Sequence, residues 1–145
     1  MRMKYFLIIS TIAALVACSE IDSNMPSRVK SVDLIILSRA NALLASESNW
    51  DANTNKQCNS SGKLTLFCAL EKSSYDVLGT YAQNNLAIES VRFAINKNFN
   101  HRWSEDQLTD FNNHPETTFN DVKFIIADAE KVMKNKFIRQ MEGLF

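Results

Sequence analysis

Apolar positions recur three and four residues apart along most of this chain. The longest series is Val122, Ile125, Ile126, Ala129, Val132, Met133 and Phe137, which trace one face of an amphipathic helix. Thr118 and Asp121 stand just ahead of it at the spacing of a capping box, and an acidic side chain suits the positive end of the helix dipole. Lys131, Lys134, Lys136 and Arg139 crowd the later turns, where the dipole favours cations, and read as a solvated face.

Earlier segments show the same period. Val29, Val32, Ile36, Leu37, Ala40, Leu43 and Leu44 predict a helix over 29–46, with Ser27 as its cap and Leu34 and Ile35 widening the apolar stripe. Residues 64–70 are ambiguous. Leu64, Leu66 and Cys68 alternate like a strand, whereas Leu66, Phe67 and Leu70 fit a helix. The helical reading runs to Leu78 and stops at Gly79. Asn84 or Asn85 caps a third helix, with Leu86, Val91, Ala94 and Ile95 inward and Phe93 near the edge; it ends within 96–101. Ser104 and Gln107 have capping-box spacing ahead of a short helix to Phe111. A polar loop is then expected at Asn112-Asn113-His114-Pro115, because proline disfavours helical geometry in the residue before it.

Three glycines and two prolines in 145 residues are few for an all-β domain, which needs many tight turns. The expected fold is all-α: one small bundle of four to five helices.

The first residues follow a different pattern. Arg2 and Lys4 precede a run from Tyr5 to Ala17 that is apolar apart from Ser10 and Thr11. At about 13 residues it is short for crossing a bilayer, and it reads as a secretory signal. It ends in Leu15-Val16-Ala17-Cys18, which resembles a bacterial lipobox. That resemblance implies cleavage after residue 17 and fatty acyl chains, palmitate among them, on Cys18. Ser19 in the next position implies onward sorting to the outer membrane, facing the periplasm. The expected organisation is a signal peptide at 1–17, a flexible tether at 18–27 and a helical domain at 28–145. Loss of Arg2 and Lys4 with the leader leaves 14 basic against 16 acidic residues, a net charge of −2. That balance argues against nucleic acid, which requires a basic face. The expected partners are the membrane, through the lipid, and a protein.

Cys58 and Cys68 remain as an even pair in an oxidising compartment. A disulfide between them would contribute about 2–3 kcal/mol. The alternatives are a reactive thiol at Cys68 and two unpaired thiols. Candidate binding residues cluster at Trp50, Phe111, Asn112, Asn113 and His114. Each also has a structural reading: Trp50 as a plug at the end of the core, the asparagines as partners of helix ends, and His114 bonded to backbone. The enzymatic alternative is a cysteine-dependent amidase or peptidase with Cys68 as nucleophile, His114 as base and Asn112 or Asn113 as orienting group. No Gly-rich phosphate loop, Gly-x-Ser-x-Gly or Cys-x-x-Cys occurs, and His101, His114 and scattered carboxylates lack metal-ligand spacing. Neither a cofactor nor a metal is expected, and binding is preferred to catalysis.

The order Trp50, Gly62, Cys68, then Phe111-Asn112-Asn113-His114-Pro115 with Thr118, Asp121 and Val122, resembles a small bacterial helical family of unknown function. The similarity covers about residues 29–133. It implies a helical fold and brings no established catalytic residues with it.

Overall fold

A computed structural model describes residues 28–53, 58 and 62–144. The leader, Cys18, the tether and Ser27 lie outside them. Five helices follow in order: α1 (Ser31–Leu43), α2 (Leu66–Leu78), α3 (Leu86–Phe99), α4 (Gln107–Asn113) and α5 (Phe119–Glu142). Single 3-10 turns occupy Glu47–Asn49 and Asn100–Arg102. The all-α bundle expected from the apolar period is present, with no strand among the described residues.

α5 is the backbone of the bundle. Its 24 residues rise about 36 Å. α1 and α3 both pack on it, α2 packs on α1, and α4 closes against α3 and α2. Val122, Ile125, Ile126, Ala129 and Met133 are buried as the stripe requires, whereas Val132 and Phe137 are only half-buried. They meet Ile36, Leu37 and Ala40 of α1, Ile88, Val91 and Ile95 of α3, and Leu108 and Phe111 of α4 in one continuous core. α1 and α5 run antiparallel. The Val29 amide donates to Gln140 Oε1 at 3.0 Å at one end, and Lys123 Nζ donates to the carbonyls of Asn41 and Leu44 at 3.1 Å at the other. Lys123 thereby caps carbonyls that the last turn of α1 leaves without helical partners.

Local chemistry sets most boundaries. The Thr118–Asp121 box forms: the Thr118 hydroxyl accepts from the Asp121 amide at 3.2 Å, and the Asp121 carboxylate accepts from the Thr118 amide at 2.9 Å. Asn85 caps α3 by accepting from the Ala87 amide at 2.8 Å. α2 starts after Thr65, whose hydroxyl accepts from the Cys68 amide at 3.1 Å, so the helical reading of 66–78 holds. Leu64 makes a single parallel bridge with Trp50 instead of opening a strand. Gly79 ends α2 at φ +72°, a left-handed conformation that a residue with a Cβ adopts at a cost.

Three expectations are corrected. α1 starts at Ser31, later than expected, because Asp33 accepts from the Lys30 amide at 2.8 Å and fixes the cap there instead of at Ser27. Asn112 and Asn113 belong to α4, and the loop begins at His114. Ser104 and Gln107 do not form a capping box; Asp106 caps α4 by accepting from the Thr109 amide at 3.3 Å.

Ser104 serves Asp110 instead. One oxygen of Asp110 accepts from the amides of Ser104, Glu105 and Asp106 at 2.9, 2.8 and 3.1 Å and from the Ser104 hydroxyl at 3.0 Å. The Ser104 amide, then the other donors, outweigh desolvation and pull its pKa from 3.8 to about 2. The folded value lies below the unfolded one, so this stabilisation is present above pH 4 and is lost as pH falls towards 2. Solvent screening reduces it to about 1 kcal/mol. Asp110→Asn should therefore lower stability by about that amount at pH 7 and by markedly less near pH 2, as urea midpoints at the two pH values will show.

Candidate functional site

The residues singled out around the α4–α5 connection divide into a buried clip and an exposed corner. Asn112, 1% exposed, is the clip. Its Oδ1 accepts from Trp50 Nε1 at 2.9 Å and from the Leu66 amide at 3.0 Å. Its Nδ2 donates to the Asp51 carbonyl at 3.0 Å and to Asn113 Oδ1 at 3.1 Å. Two donors and two acceptor positions are all used, which fills the ordinary capacity of the amide. One side chain thus ties the Trp50 loop, the start of α2 and α4 together.

Trp50, at 8% exposure, lies 6.1 Å from the Phe119 ring, and Phe111, fully buried, lies 5.3 Å from Phe99. Trp50, Phe111 and Asn112 therefore face the interior. Buried in this way, they offer little surface to a ligand. The polar composition around Phe111 and Asn112 resembled a loop, yet α4 turns their side chains into the core, while Trp50 reaches it from the segment after the first 3-10 turn.

Asn113 and His114 are half-buried. His114 ends α4 in extended geometry (φ −65°, ψ 133°), as the following Pro115 demands. Its Nδ1 accepts from the Glu116 amide at 3.2 Å, which assigns the proton of the neutral ring to Nε2. The ring meets His101 edge-on at 6.5 Å. Beside them the Arg102 guanidinium lies 4.5 Å over the Phe99 ring and donates to Asp121 Oδ2 at 3.0 Å. Burial raises the Asp121 pKa, but donation from the Thr118 amide and hydroxyl and from Arg102 outweighs it, and the carboxyl sits below its ordinary range. Phe124 presents its ring to Phe99 at 6.3 Å and is 50% exposed.

The outer corner is thus His101 and Arg102 from the 3-10 turn after α3, His114 from the α4–α5 connection and Phe124 from α5. It offers an aromatic surface, a held cation and imidazole hydrogen-bonding groups. Sequence reasoning missed Arg102 and Phe124. A signal for Phe124 was present: it is an aromatic residue one position off the buried stripe of α5, where packing does not require one.

Cys58 and Cys68 lie at disulfide distance, 2.15 Å between sulfurs. Cys68 is buried and its sulfur is bonded to Cys58, while His114 faces His101. The thiolate needed by a Cys68–His114 hydrolase is consumed in that bond. Among the described residues, no group of three or more His, Cys, Asp or Glu side chains is placed to hold a metal ion. No described helix is long and apolar enough to cross a membrane. Comparison with protein-family models, with curated proteins and with solved structures finds no match.

Proposed function

We propose that this chain is an envelope lipoprotein that acts by binding. Acyl chains on Cys18 hold the helical domain at a membrane, the outer membrane facing the periplasm, and the domain engages a protein partner. Two versions fit: an immunity or inhibitor protein that neutralises a toxin or hydrolase, or an accessory factor of an envelope assembly. The lipobox Leu15-Val16-Ala17-Cys18 supports the address, and the Cys58–Cys68 pair suits an oxidising compartment.

The observation that carries the binding reading is Phe124. A half-exposed aromatic ring packed edge-on against Phe99, whose own ring also carries the Arg102 guanidinium, combines residue types enriched in energetically dominant contacts between proteins. Engagement of Cys68 in a disulfide favours binding over the cysteine amidase or peptidase.

A photo-crosslinking amino acid placed at Phe124 in cells tests this reading. A discrete adduct is expected from position 124 and not from Tyr75, which is comparably exposed at 52% but lies on α2. No adduct from position 124, or the same adduct from both positions, would remove this corner as the partner surface.

A further inference from the structure

The opposite end of α5 carries a second surface. The Val29–Gln140 hydrogen bond fixes the first described residues against the last turns of α5. Arg28, Val29, Lys30, Phe137, Met141 and Leu144 line a groove between them. Leu144 is 64% exposed, Ile138 52% and Met141 44%. Phe137 and Met141 continue the buried stripe of α5 to its exposed end, and Leu144 follows just past the helix, beyond most of the core that covers the stripe elsewhere.

Charge is segregated at the same end. Residues 28–30 and 131–144 contain six cations (Arg28, Lys30, Lys131, Lys134, Lys136, Arg139) and one carboxylate, Glu142. The rest of the chain from Cys18 onwards carries eight cations and fifteen carboxylates. This end is therefore +5 on a body of −7. The nearest other acids do not reverse the sign: Asp33 is buried under the Lys30 amide, and Glu130 is paired with Lys134 at 3.3 Å.

We infer that this end is a membrane-docking face, with the last turns of α5 lying on an anionic bilayer leaflet. The inference rests on the lipid-anchor reading for its geometry. Arg28 lies ten residue steps from Cys18, a reach of at most about 35 Å when fully extended, so this face stays close to the leaflet that holds the acyl chains. Cations beside exposed apolar side chains at a helix end are the arrangement that settles into a charged headgroup layer. A second copy of the chain is a poorer occupant, because it would bring two +5 faces together. Docking here points the Phe124 corner, near the other end of the roughly 36 Å helix, away from the membrane.

Amide hydrogen exchange of the processed, lipidated chain held in vesicles by its own acyl chains tests the inference. In phosphatidylglycerol–phosphatidylethanolamine vesicles the amides of 137–144 should exchange about tenfold more slowly than in phosphatidylcholine vesicles, as burial of a terminal turn in an interface implies. The difference should vanish in Ile138→Ser/Leu144→Ser and in Lys134→Gln/Arg139→Gln, with exchange in α2 and α3 unchanged as proof of folding. The intact mass of the same sample separates the two claims. Missing acyl chains would sink the lipid anchor, whereas acyl chains without slowed exchange would sink the docking face alone. Slowing that is equal in both lipids and grows with protein density would assign the face to a second copy and overturn the inference.

Discussion

Replacing Asn112 with alanine is expected to lower the unfolding free energy by about 3 kcal/mol, the largest loss from any single polar side chain in the bundle. The substitution strands the Trp50 indole N–H, the Leu66 amide and the Asp51 carbonyl, each of which now pairs with the Asn112 amide. A buried group left unpaired costs about 1–3 kcal/mol, and the three losses share one site, so they do not simply add. Urea unfolding should show a lower midpoint with an unchanged slope. Asn112→Asp gives a sharper signature. Its oxygens keep the two acceptor positions, but it loses the donor to Asp51 and places a carboxylate at a position 1% exposed. Burial raises the folded pKa of such an acid above its unfolded value. Stability relative to wild type should therefore improve as pH falls through the raised value and worsen as pH rises. An Asn112→Ala variant with wild-type stability would mean that the clip contributes nothing to the fold.

Removing the Cys58–Cys68 disulfide is expected to cost about 2–3 kcal/mol, from the entropy of closing a ten-residue separation in the unfolded chain. Reductant should lower the unfolding midpoint of the wild-type chain and leave Cys58→Ser/Cys68→Ala unaffected. Cys68→Ser should be worse than Cys68→Ala, because it adds a hydroxyl at a site 2% exposed. Iodoacetamide should label neither cysteine before reduction. Labelling of Cys68 in the oxidised native protein, with loss of a hydrolytic activity, would restore the amidase reading.

What could be read from the sequence was local. The α5 stripe, the Thr118–Asp121 box, the Asn85 cap and the Gly79 stop each depend on residues within one or two helical turns. The Cys58–Cys68 pairing was accessible by counting. The Asn112 clip was not, because its partners at Trp50, Asp51 and Leu66 lie 46–62 residues away and only the packing of α4 brings them together. Asp110 defeated the reading of Ser104 and Gln107 for a different reason. Two local solutions to the same unpaired amides were available, and the carboxylate accepts four donors where the box would have satisfied two. The core-plug reading of Trp50 agrees with its burial, whereas Phe111 stood next to a polar run that hid how far α4 carries it into the core. Phe124 was visible all along as an aromatic off the stripe, but an exposed residue leaves no periodic trace of its use.

The most direct measurement is the mass and location of the N-terminal peptide in fractionated cells. A peptide starting at Cys18, carrying acyl chains and recovered from the membrane fraction, is the expected result. A chain recovered as soluble protein with residues 1–17 still attached would contradict a lipid-anchored binding protein.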